Sequence, residues 1–306
     1  MVYLTATATS SLTLYATLGR HTETNQRHKK KMFFTSKRLI ERAEGLELLK
    51  EILKDKNKSV VIHYSCESFV TTHGRTPRVT SICMRYLGTA QTKSFSIHLQ
   101  AQFDGKDFNN LTLADYDALE KKMLDEFYEF AKKHKDFKWI HWNMRDSNYG
   151  FEAIANRYRI LGGQAFDIDE DRKYDFPRVL GKIYTYGYEK NKPDGRLLNL
   201  AKRNDITTVD ALKGKEEADA FDNKKYLELH KSTLRKVDIV DSIIDRVDKN
   251  ELKVASKPKH IYGLTIPGII EIVKNNWIFV VIWTLLFYVL GAATEPIIQR
   301  LFGTAQ

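Results

Sequence analysis

The chain has 306 residues, 42% hydrophobic and 29% charged, enough apolar material to bury one large core or two modest ones, which excludes a disordered chain. Its cysteines, Cys66 and Cys83, form no CxxC and no paired Cys/His spacing, which excludes a disulfide framework and a structural zinc site and fits a reducing, cytoplasmic setting. The net charge of +10 is a weak pointer to nucleic acid, because the excess of Lys and Arg sits toward the chain ends while residues 59–248 are nearly neutral.

Residues 1–31 are rich in Ser and Thr, carry no core pattern and end in three lysines before Met32. The expectation is a disordered or non-native leader, with Met32 as the physiological start. From Thr35 to Lys54, Leu39, Ile40, Leu46, Leu49 and Ile52 recur at helical spacing, and "SVVIHYSCESF" then reads as a strand. Next, "GRTPRVTSICMRYLG" and "AQTKSFSIHLQAQF" alternate apolar and polar residues around Gly88-Thr89-Ala90, the pattern of an antiparallel hairpin.

Leu119, Met123, Phe127 and Phe130 mark a second helix, which leads into the aromatic strand Trp139 to Trp142. That strand runs without a break into Asn143, Arg145, Asp146, Ser147 and Asn148. Strands that end in polar residues before a helix are how an α/β sheet presents chemistry at its carboxyl edge, so this stretch reads as a site wall. Helix capping alone would also explain Asp146. His141, between two tryptophans, reads first as a half-buried, hydrogen-bonded histidine. "DIDED", Asp167 to Asp171, has the alternate acids of a calcium loop, but Arg172 and Arg178 stand where Gly and Glu are required.

At the far end, Trp277 to Ala293 carries no charge and reaches about 26 Å as a helix, the low end of what spans a bilayer. The expected organisation is therefore a domain over residues 32–258, an interfacial linker over 259–276, a transmembrane helix over 277–293 and a short tail over 294–306. Lys253, Lys257, Lys259 and Lys274 precede the span, so the large N-terminal part is expected in the cytoplasm, with the membrane as one partner and a protein partner or homo-oligomer as another.

The order strand, hairpin, helix, strand, helix resembles the ribonuclease H-like fold of the DEDD 3'-5' exonuclease superfamily, over roughly Ser59 to Val247. "YSCESF" supplies Glu67 at the second carboxylate of a D-x-E motif, "HWNMRDSNYGF" resembles the second motif, and "YLELHKSTLRKVDIVDSIIDRV" looks like the third-motif helix. The resemblance implies an α/β fold, a mixed sheet flanked by helices, with Glu67, Asp146 and Asp238 holding catalytic Mg²⁺ or Mn²⁺ and Asp241 competing for the last place. It implies nucleic acid as substrate, met by Ser65, His141, Asn143, Arg145, Asn148 and His230. The sequence departs from the family at Ser65, where the first Asp is replaced by a hydroxyl.

Two-metal phosphodiester chemistry needs several converging carboxylates, so two readings stand. One is a membrane-anchored metal-dependent nuclease, suggesting defence against foreign nucleic acid. The other is a pseudonuclease that binds or senses a strand without cutting it, or an effector gated by a partner.

Overall fold

The computed structural model describes residues 36–68, 76–275 and 277–302, so the expected leader and the start at Met32 lie outside the described residues. The chain divides into two compact units, residues 44–256 and residues 1–43 together with 257–306.

The larger unit is built on a five-stranded mixed sheet of order β3-β2-β1-β4-β5. The strands are β1 (Ser59–Cys66), β2 (Val79–Tyr86), β3 (Thr92–Ser96), β4 (Lys138–His141) and β5 (Lys173–Asp175). β1 is central and buried along almost its whole length, which is why "SVVIHYSC" reads as a continuous run rather than an alternation. It pairs antiparallel with β2, placing Val61 opposite Arg85 and Ser65 opposite Ser81, and the register shifts between Ser65 and Cys66. On its other side it runs parallel to β4, and β4 runs parallel to β5. The α/β class expected from the sequence is the class found.

The helices of this unit, in chain order, are α1 (Lys37–Leu53, which begins in the smaller unit), α2 (Ile97–Phe103), α3 (Leu113–Lys133), α4 (Phe151–Ile160), α5 (Phe176–Tyr184), α6 (Arg196–Arg203), α7 (Gly214–Asp222) and α8 (Tyr226–Asp248). α3 opens with a capping box in which Thr112 and Asp115 exchange hydrogen bonds, and it buries Leu119, Met123, Leu124 and Phe127 along one face. α8 packs across β1 and β2. One segment differs from its expected form: the hairpin's second half, Thr92 onward, leaves the sheet after Ser96 and becomes α2. Ile97, Gln100 and Ala101 are buried at helical spacing there, and that periodicity outweighs the short alternation before it.

A buried ionic cluster locks the start of β2 to α3 and α4. Glu120 is fully buried; it accepts from the Val79 backbone at 2.7 Å and from Arg157 Nε and Nη2 at 2.9 and 2.6 Å. Arg78 lies 3.4 Å from the same carboxylate and 2.7 Å from Asp117, which also takes Arg157 at 2.7 Å.

The smaller unit contains α9 (Pro258–Tyr262), α10 (Ile266–Lys274) and α11 (Trp277–Phe302). Arg38 Nε donates to the Ile261 carbonyl at 2.9 Å, and the Arg42 guanidinium stands 4.9 Å above the Tyr262 ring. Among the described residues no helix is long and apolar enough to cross a membrane. This overturns the expected transmembrane helix over 277–293, and with it the single-pass tail anchor and the cytoplasmic orientation read from the flanking lysines. Its apolar stretch falls short of a hydrocarbon core of about 30 Å, and the same helix runs on through Glu295, Pro296 and Arg300.

The ionic cluster makes a testable difference between two carboxylates. Glu120→Ala leaves Arg78 and Arg157 buried with most of their counter-charge gone and is expected to cost about 3–5 kcal/mol. Asp117 is half exposed, and Asp117→Ala is expected to cost about 1 kcal/mol or less. Denaturant midpoints of the two variants check the order.

Candidate functional site

The acids expected to share a metal belong, among the described residues, to no group of three or more that could hold one. Glu67 follows β1, is 7% exposed, and accepts from the Arg78 backbone N–H at 3.3 Å while its own N–H donates to the Arg78 carbonyl. Asp146 is exposed in the loop after β4, where its carboxylate accepts from the Asn148 N–H at 2.9 Å and closes a local turn. Asp238 sits on α8, 3.0 Å from Arg85 and 3.5 Å from Arg235, and Asp241 takes the same Arg85 at 2.6 Å.

The register shows how far apart these are. Thr233 of α8 touches Ser65; Asp238, one and a half turns further on, is about 7.5 Å along the helix and about 140° round it. It reaches Arg85, whose partner in register is Val61, whereas Glu67 continues past Ser65 in the opposite direction. Carboxylates sharing a divalent ion need oxygens within roughly 5 Å, a condition that Glu67 and Asp238 on opposite sides of the Ser65 contact do not meet. Among the described residues no group of three or more His, Cys, Asp or Glu could hold a metal ion. Glu67, Asp146 and Asp238 do not fit Mg²⁺ or Mn²⁺ as a set.

A neutral seam occupies the place between β1 and α8. Ser65 Oγ and Thr233 Oγ1 are 2.5 Å apart, both buried. Thr233 donates to the Leu229 carbonyl at 2.9 Å, so Ser65 is the donor of the pair. Beside it, Ser81 Oγ lies 2.7 Å from His230 Nδ1, and burial, followed by the neighbouring His98, pushes His230 down to about 4. Ser65 and His230 are thus used by the fold.

The loop after β4 is a built wall rather than a loose connection. Asn143 adopts a left-handed backbone, φ 58°, which Asn tolerates well. Its N–H donates to Asp175 at 3.2 Å, its side-chain oxygen accepts from Arg145 at 2.9 Å, and Arg145 also pairs with Asp175. His141 Nδ1 accepts from the Met144 N–H at 3.0 Å, so the ring carries its proton on Nε2. The loop then turns back to β1, where Tyr149 Oη donates to the Tyr64 carbonyl and Tyr64 Oη accepts from the Gly150 N–H, each at 3.0 Å, with the two rings stacked at 4.5 Å. Gly150 is required there: a Cβ would stand 2.6 Å from the Met144 carbonyl oxygen.

Two cavities open at this carboxyl edge. One, of about 380 Å³, is lined by His63, Ser65, Cys66, Tyr149, Glu217 and Lys236. The other, of about 210 Å³, includes Trp142, Asn143, Asp194, Arg196 and Lys213. His63, Gly214 and Lys236 line both. Lys236 pairs with Glu217 Oε1 at 2.6 Å, and the same oxygen accepts from Ser232 at 2.8 Å. His63 is held well below the usual histidine range by burial and then by Lys236, so it is neutral, and its buried Nδ1 has no hydrogen-bond partner. Burial, reinforced by Glu217 and Glu67, pushes the Cys66 thiol up to about 12, which removes it as a nucleophile at neutral pH.

Sequence reading did not single out His63 with Lys236, nor Glu217, Thr233 or Arg196. The available signal was period two: His63 and Ser65 alternate with Ile62, Tyr64 and Cys66 along β1, and Glu67 follows in the same phase.

His141 gives a pH dependence. Burial, followed by Arg145, Lys173 and Arg178, pushes it down to about 3. Asp175 Oδ1 lies 3.8 Å from Nδ1, but that carboxylate is already shared with Arg145 and Arg178. The unfolded chain binds this proton near pH 6.5 and the folded one does not, so stability is complete above about 6.5 and is lost as pH falls toward 3. The denaturant midpoint is expected to drop between pH 7.5 and 5, and His141→Asn, which keeps an acceptor for Met144, is expected to flatten that drop.

No protein-family model, no curated protein and no solved structure matches this chain.

Proposed function

We propose that this chain is a ribonuclease H-like domain that binds single-stranded nucleic acid at the carboxyl edge of β1 and β4 and does not cut it through metal ions. The observation that carries the reading is the Ser65–Thr233 hydroxyl pair. It stands where the resemblance implies that the first carboxylate of β1 and the late helix converge, and neither hydroxyl supplies the charge that a divalent cation needs.

The sheet supports the fold half of the proposal. A hairpin flanks one side of β1, parallel strands reached through helices flank the other, and α8 crosses β1 and β2 as a third-motif helix has to. The cavity linings support the ligand half. Lys213, Lys236 and Arg196 gather beside Trp142 and Asn143 at the edge where α/β sheets place ligands, and cations next to an aromatic residue suit a strand whose phosphates and bases are both within reach.

The test uses the full chain with end-labelled single-stranded oligonucleotides in Mg²⁺ or Mn²⁺. Retarded mobility without shortening is expected; shortening that disappears in Glu67→Gln would overturn the proposal. A second measurement addresses the seam. Ser65→Asp forces a carboxylate into a buried site beside Thr233 and is expected to lower stability by about 2–4 kcal/mol without creating Mn²⁺ affinity in calorimetry. A gain of Mn²⁺ binding would instead mark the site as a degenerate metal centre.

A further inference from the structure

A third cavity, of about 230 Å³, opens where the parallel strands β4 and β5 end, with His141 opposite Asp175 in register. The helix that follows each strand starts beside it. α4 begins at Phe151 and α5 at Phe176, and neither has a side-chain cap: Gly150 has no side chain to offer, and the Asp175 carboxylate turns instead to Arg145 and Arg178. The N–H groups of a helix's first turn have no partner within the helix, and their dipoles favour an anion. Phe151 and Glu152 from α4 and Arg178 from α5 line the cavity, together with Arg145 and Lys173.

A buried donor points the same way independently. The His141 side chain is 4% exposed, and its Nδ1 is taken by the Met144 N–H at 3.0 Å, which leaves the ring proton on Nε2. Among the described residues none accepts that proton, and Nε2 is not one of the side-chain atoms sealed from solvent. The Phe151 ring, 5.5 Å away at 78°, offers it no lone pair. The cavity that His141 lines is therefore where this donor finds space. The one buried acid there, Asp175, is outnumbered: Arg145 and Arg178 share it, each with more N–H groups than it takes up. Lys173 pairs with Glu170 at 2.5 Å, but the Glu170 side chain is 88% exposed, and Glu152 turns outward to Arg159 at 3.9 Å.

The group that satisfies these donors accepts hydrogen bonds on several sides and donates none. A metal cation is repelled, and an apolar group leaves the Nε2–H unpaired. A planar carboxylate has two oxygens for donors that arrive from α4, α5, β5 and the loop after β4. A phosphate has three or four, and helix N-termini with Arg and Lys are its usual partners. The cavity is smaller than the roughly 300–1,000 Å³ that encloses a whole small molecule, which suits a single group. We infer that this cavity binds a phosphate group between the first turns of α4 and α5, with His141, Arg145, Lys173 and Arg178 as side-chain donors. The inference goes beyond the strand reading and stands without it. Inorganic phosphate and the terminal phosphate of a strand share this chemistry, and the test separates them.

NMR titration of the full chain, labelled with ¹⁵N-histidine, uses inorganic phosphate at pH 7.5 and constant ionic strength. The His141 ring signals, assigned by their loss in His141→Asn, are expected to move in a saturable way, and acetate to bind about tenfold more weakly than phosphate. Lys173→Gln and Arg178→Gln are each expected to weaken phosphate about fivefold. Because the comparison of phosphate with acetate uses the unaltered protein, it stands even if a variant misfolds. In parallel, oligonucleotides of one sequence are measured with and without a terminal phosphate. Tighter binding of a phosphorylated form, competed by inorganic phosphate, makes the ligand a strand end. Phosphate binding without any oligonucleotide binding upholds the site as one for a free phosphate and overturns the strand reading. Phosphate and acetate acting alike, or no saturable movement of His141, overturns the inference. The strand reading then stands or falls on oligonucleotide binding alone.

Discussion

The hydroxyl contact between Ser65 and Thr233 sets the terms for everything at this edge of the sheet. At 2.5 Å and with both groups buried, it allows α8 to lie directly on β1 without a charge between them. A pair of carboxylates in the same space would have to be neutralised by bound cations or kept apart, because like charges at that separation repel strongly in a poorly hydrated site. Hydroxyls need neither. The helix can therefore close on the strand in the absence of any ion, and Ser81 with His230 extends the same neutral seam onto β2.

The charges in this unit follow the same economy. Glu120, Arg78, Arg157 and Asp117 form a closed set at the start of β2, and Asp238 and Asp241 are taken up by Arg85. Each acid that the resemblance nominated for metal, or that competed for the role, is engaged by a partner that holds it in place. Glu67 continues the β1–β2 pairing through the Arg78 backbone, Asp146 closes a turn, and Asp238 pairs across to β2. These are structural uses, and they explain the residues without a cation. The buried side-chain atoms left without a hydrogen bond among the described residues are scattered through the unit: His63 Nδ1, Arg78 Nε, Ser96 Oγ, Trp139 Nε1, Tyr188 Oη and Arg196 Nε.

Much of the fold was legible in the sequence, and for physical reasons. The central strand is a run of β-branched and aromatic residues bounded by polar breaks, and the long helices bury one face at helical spacing, so local pattern and tertiary burial agree. The hairpin was legible up to Ser96, but Ile97 to Ala101 satisfy both a two-residue and a four-residue period over so short a stretch that packing against α3 decides. The apolar run from Trp277 shows another limit: hydropathy along a stretch is local, whereas length and the charges further along the same helix bear on whether it can span. The site was less legible than the fold. Asp238 and Thr233 both lie on α8, and only the contact with Ser65 shows which of them faces the strand end.

His63 illustrates what the sequence could not rank. Along β1 it is one of several polar residues, and nothing local separates it from Ser65, which the fold uses fully. The difference is tertiary. Ser65 meets a hydroxyl from α8, while one turn further along that helix the residue is Lys236, an ammonium, which offers no acceptor and instead turns to Glu217. A neutral imidazole beside a cation already claimed by a carboxylate is left with a buried nitrogen that has no hydrogen-bond partner. Two residues apart on one strand, Ser65 is satisfied and His63 is not, because of which α8 side chain each of them meets.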